Sequence, residues 1–100
     1  MQQITIITGS RGVGKTSVAL SLRDHCTALP NPTQIYEVKN LLNVTVALEQ
    51  EKGQKHELIF ICFHGFYFDA GDLAILLKVP ANDAALLHKI TYINISKPLI

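Results

Sequence analysis

Residues Gly9-Ser10-Arg11-Gly12-Val13-Gly14-Lys15-Thr16 satisfy the pattern G-x-x-x-x-G-K-[ST] at every fixed position, and Ser17 follows. Each residue type suits the binding of a phosphate chain. Gly9 starts a tight turn, and Gly14 lets backbone N–H groups approach phosphate oxygens with no Cβ in the way. Gly12 loosens the arch further. Lys15 brings a flexible point charge to terminal phosphates, and Thr16 offers a hydroxyl to a hard divalent cation such as Mg2+. By average residue frequencies a chain of this length matches the pattern by chance on the order of once in a few hundred cases. A phosphate site is therefore expected rather than a purely structural glycine turn.

The segments around the loop supply the expected setting. Ile4-Thr5-Ile6-Ile7-Thr8 is β-branched throughout and reads as a buried parallel strand running into the loop. Val18, Leu22, Cys26 and Leu29 then recur at helical spacing over residues 16–29, until Pro30-Asn31-Pro32. Strand, glycine loop and helix together aim the positive end of a helix at the anion. In this context residues 9–16 resemble the Walker A motif of the P-loop NTPases. The resemblance implies a nucleoside triphosphate, ATP or GTP, with Mg2+ as cofactor and Thr16 as a metal ligand. Residues 9–17 would then form the cradle, Arg11 and Val13 among them.

Hydrolysis requires more than a cradle, and the family pattern asks for an acid at the end of a neighbouring hydrophobic strand. Leu58-Ile59-Phe60-Ile61-Cys62-Phe63 is the most apolar run, yet it ends in His64-Gly65. If the strand continues through Phe66-Tyr67-Phe68, Asp69 supplies the acid and joins Thr16 at the metal, with Asp72 in reserve. Otherwise Asp69 is a loop residue and Asp72 a helix cap. His64 is the candidate for orienting water or sensing the γ-phosphate, beside Lys15. In ATPases with a strand inserted between the P-loop strand and the acid-bearing strand, a polar residue at the inserted strand's tip contacts the γ-phosphate, and Asn94 and Ser96 hold the comparable place. His25, His56 and His88 lack metal-ligand spacing and read as surface or boundary residues. Arg11 and Arg23 are the only arginines. A cation for the transition state would have to be Arg11, a lysine or a partner's residue, and slow turnover follows.

Within the P-loop proteins, GVGKTS is similar to small GTPases, but the N-K-x-D and D-x-x-G patterns are absent. A small-molecule kinase would need a lid and more arginines. The order of elements looks more like compact FtsK/HerA-type and viral DNA-packaging ATPases, in which an aromatic loop follows the acidic strand. That resemblance implies ATP hydrolysis in DNA translocation or packaging; a non-hydrolysing nucleotide switch or assembly subunit, or a divergent small GTPase, is the alternative.

The chain has 100 residues, 48% hydrophobic and 17% charged, which suits one small folded domain over 1–100. Such a domain buries less of its surface than one of roughly 150 residues, so it reads as a minimal or truncated version, or one that completes its core against a protein partner or a second copy. A net charge of +1 leaves no general electrostatic footprint for DNA or an anionic membrane. Cys26 and Cys62 sit in apolar runs and read as buried free thiols of a reducing compartment. No apolar run approaches the ~18 residues of a spanning helix, and a cytoplasmic, soluble protein is expected.

The remaining elements are coarser. Residues 35–51 fit a helix through Val38, Leu41, Leu42, Thr45 and Leu48, closed by Gly53, although 42–48 also alternate like a strand; helix is favoured. Asp72 caps a helix carrying Leu73, Leu76 and Leu77 up to Pro80, and Asn82 a further one through Lys89. Thr91-Tyr92-Ile93-Asn94-Ile95-Ser96 is the third strand, ended by Pro98. The fold class is α/β: a small, mostly parallel sheet with helices on both faces.

Overall fold

Strand β1 (Gln3–Gly9) runs through the middle of a four-stranded sheet because its Ile and Thr side chains suit burial on both faces. The computed structural model describes residues 3–10, 12–26, 32–51, 53–76, 78 and 89–95. Helix α1 (Lys15–Cys26) follows the glycine loop, then β2 (Thr33–Val38), α2 (Leu41–Glu51), β3 (Leu58–His64), α3 (Ala70–Leu76) and β4 (Thr91–Asn94). Every strand pair is parallel and the order is β2-β3-β1-β4. The expected α/β class is therefore observed.

The alternation of side chains divides the core into two layers. On one face, Ile7, Leu58, Phe60 and Cys62 pack with Ala19, Val18 and Leu22 of α1. On the other, Ile6, Ile59, Ile61 and Phe63 pack with Val44 and Ala47 of α2 and with Leu73 of α3. Helices thus cover both faces. Phe68 is fully buried after β3 and meets Phe63 edge-on, ring centroids 5.0 Å apart. Residues 66–69 form a loop and do not extend β3.

Several expectations need correction. The favoured helix over 35–51 is in fact a strand and a helix, joined through Lys39 and Asn40. Ile35, Tyr36 and Val38 are good strand formers, and pairing with β3 overrides the helical period that continues into α2. Asn40 stops the strand and caps α2, its Oδ1 accepting the Asn43 N–H at 2.9 Å. Asp69, rather than Asp72, caps α3. Asp69 Oδ1 accepts the Asp72 N–H at 3.0 Å, and Asp72 Oδ2 accepts the Asp69 N–H at 3.3 Å, a reciprocal capping box. The body of the helix expected from Asn82, together with Ser96 and Pro98, lies outside the described residues.

Parallel pairing in this register brings the strand ends together. Gly9 is level with His64, Phe63 with Val38, and Thr8 with Asn94. The loops leaving β1, β2 and β3 therefore open on one edge of the sheet, where α/β folds bind ligands. Among the described residues no helix is long and apolar enough to cross a membrane.

Candidate functional site

Gly9, Ser10 and residues 12–14 belong to an arch between β1 and α1 whose shape depends on two glycines. Gly12 and Gly14 have φ of +84° and +95°, a region other residues avoid. A Cβ at either would meet nothing within 4 Å, so the requirement is conformational rather than a matter of space. The Gly14 carbonyl accepts the Val18 N–H at 3.0 Å, so the helical ladder starts as the arch ends. No acidic side chain occupies the first turn of α1, and its positive end stays uncompensated from within the helix.

Lys15 folds back over the arch. Its ammonium donates to the carbonyls of Gly9 at 3.1 Å and Ser10 at 2.9 Å. The Thr16 hydroxyl points instead toward β2 and donates to Glu37 Oε1 at 2.9 Å. Glu37 was not among the expected site residues. The helical periodicity of its segment hides an acid at the penultimate position of the strand Thr33–Val38. The signal that could have found it is local: β-branched and aromatic residues at Thr33, Ile35 and Tyr36, followed by one carboxylate.

The arch and Glu37 form two walls of a cleft of about 480 Å³, within the range of ligand pockets. Lys15, Thr16, Glu37, Lys39, Cys62 and His64 all line it. His64, at the tip of β3, is half-buried, and among the described residues neither its ring nor the Lys39 ammonium has a hydrogen-bonding or ionic partner. Cys62 forms part of the floor. Burial pushes its thiol pKa above the ordinary value; Glu37 adds to the rise, while the Thr16 hydrogen bond and the Lys15 charge oppose it.

The expected residues thus divide. Gly12, Gly14, Lys15, Thr16, Ser17 and His64 come together in the cleft, with Gly9, Ser10 and Val13 in the arch beside it. Arg11 lies outside the described residues. Asp69 does not line the cleft; it is occupied in the α3 capping box and faces a different hollow with Tyr92. It therefore does not meet Thr16, because the chain after β3 turns into a loop rather than prolonging the strand. Asn94 is turned toward β1, where the Thr8 hydroxyl lies 3.1 Å from its Oδ1, with the Ile93 carbonyl as alternative acceptor at 3.4 Å. Arg23 pairs with Asp24 at 3.2 Å on exposed α1 surface.

β4 also lies on the far side of β1 from β3, so it is not inserted between the loop-bearing strand and a second one. The strand that does stand between β1 and an acid-bearing strand is β3, with His64 at its tip and Glu37 on β2 beyond. Oxygen donors Thr16 and Glu37 suit a hard cation, and among the described residues no group of three or more His, Cys, Asp and Glu side chains forms a closed cage. Comparison with family models, curated proteins and solved structures finds no match to this chain.

Proposed function

We propose that the cleft binds a nucleoside triphosphate with Mg2+ and hydrolyses it slowly, as a small P-loop ATPase. The observation that carries this reading is the 2.9 Å contact between the Thr16 hydroxyl and the Glu37 carboxylate at the mouth of the glycine arch. It supplies the acid that the end of β3 lacks. Incoming phosphate oxygens would take the arch N–H groups and draw the Lys15 ammonium from the carbonyls of Gly9 and Ser10. Thr16 and Glu37 would hold Mg2+, which when bound neutralises charge on the β- and γ-phosphates.

His64 takes the place of the polar residue at the tip of an inserted strand, the arrangement of ATPases in which that residue contacts the γ-phosphate. This order of strands favours ATPase over GTPase. In hydrolysis a water oxygen attacks the γ-phosphorus, and the bond to the β–γ bridging oxygen breaks. The diphosphate leaves with the electron pair, and the free ring nitrogen of His64 is available to orient the water and accept its proton. Lys39 brings a further cation to the lining of the cleft. With no arginine among the described lining residues, turnover is expected to be slow.

A fluorescent ATP analogue titrated with and without Mg2+ tests the reading. Binding should strengthen with Mg2+, Lys15→Ala should weaken it at least about tenfold, and Glu37→Gln should abolish phosphate release while keeping Mg2+-free binding. Absence of any binding by the unaltered protein would refute it.

A further inference from the structure

A buried carboxylate on the other face of the sheet is tied to the strand that carries Glu37. Glu51 ends α2 and is 1% exposed, one of two buried polar or charged residues among those described. Its Oε1 accepts the Tyr36 hydroxyl, and its Oε2 lies 3.0 Å from His56 Nδ1. Burying a carboxylate is unfavourable by several kcal/mol unless both oxygens find partners, and a hydrophobic residue of similar size would fill the same space. The carboxylate joins three separate segments: β2, the end of α2, and the connection into β3.

Tyr36 and Glu37 are neighbours on β2, and successive strand residues face opposite sides. Tyr36 therefore meets α2 while Glu37 reaches Thr16 on the α1 side. Among the described residues β2 is also an edge strand, hydrogen-bonded only to β3. A slip of one residue along that single ladder would exchange the two faces and turn Glu37 away from Thr16. We infer that Glu51, gripping Tyr36 and backed by His56, is a positioning residue that fixes the register of β2 and holds Glu37 against Thr16. The inference rests on the reading of the cleft as a Mg2+-nucleotide site.

Tyr36→Phe removes one hydroxyl and keeps the ring, and Glu51→Gln keeps the shape of the side chain. Both should raise the Mg2+ concentration for half-maximal nucleotide binding about tenfold, as loss of groups that orient a metal ligand does, with Mg2+-free affinity changed by less than about twofold. Leu73→Ala, on the core-facing side of α3, is the control for lost stability alone and should leave the Mg2+ requirement unchanged. If the two variants lose thermal stability but keep the Mg2+ requirement of the unaltered protein, the positioning role is wrong while the nucleotide reading stands. If the unaltered protein binds no nucleotide, both fall.

Discussion

Cys62 and Glu37 sit side by side in register on β3 and β2, and the chemistry of one reports on the other. A thiol in the floor of this cleft would be expected to ionise easily beside Lys15, yet burial outweighs the lysine and Glu37 works against it. Cys62 should therefore alkylate more slowly near neutral pH than a free cysteine, since the thiolate is the reactive form. A pH series of alkylation rates, read at Cys62 by mass spectrometry, checks this; a rate profile displaced to lower pH than that of free cysteine would contradict it. At this scale the place of Lys15 and Thr16 in the cleft was readable because it depends on spacing within one loop. Glu37 was not, because its partner is 21 positions away and reaches it only through the pairing of β2 with β3.

Helix α3 decides what Asp69 does. The two carboxylates of Asp69 and Asp72 satisfy N–H groups that a helix end leaves unpaired. Asp69→Ala should lower stability by about 1 kcal/mol and leave nucleotide affinity and its Mg2+ dependence unchanged. Denaturant unfolding and the same binding titration distinguish the two effects; a loss of Mg2+ dependence would return Asp69 to the cleft. Element by element, β1, β3 and the start of α1 were legible because their apolar patterns are unambiguous. The segment through Ile35 and Tyr36 was not, since a six-residue strand followed after two residues by a helix shares its apolar positions with one longer helix. Which pattern prevailed depended on the presence of β3 as a neighbour, a contact made outside the segment.

Across the whole molecule, two tyrosines on the α2 and α3 side respond to alkali. Tyr36 and Tyr92 are both pushed up to about 12, first by burial, then by Glu51 for Tyr36 and by Asp69 and Tyr67 for Tyr92. Their neutral forms are the ones favoured by folding. This contribution is complete below the ordinary value of 10 and is lost as pH rises through about 12. Unfolding free energies measured across that window should fall, and the fall should become shallower in Tyr36→Phe and Tyr92→Phe. An equally steep fall in both variants would show that other groups dominate. The fold class was legible from strands alternating with helices, whereas the order β2-β3-β1-β4 was not, because sequence order alone does not say which edge a parallel strand joins.

One peptide unit separates Tyr36 from Glu37, and through it the two faces of the sheet are thermodynamically linked. If the Glu51 grip strengthens the hold on a metal nucleotide, occupancy of the cleft must strengthen the grip by the same factor. The Tyr36 hydroxyl and the His56 ring would then act as remote reporters. Their magnetic resonances, and the slowness with which Tyr36 gives up its proton, would register a ligand on the opposite side of the sheet that neither residue touches.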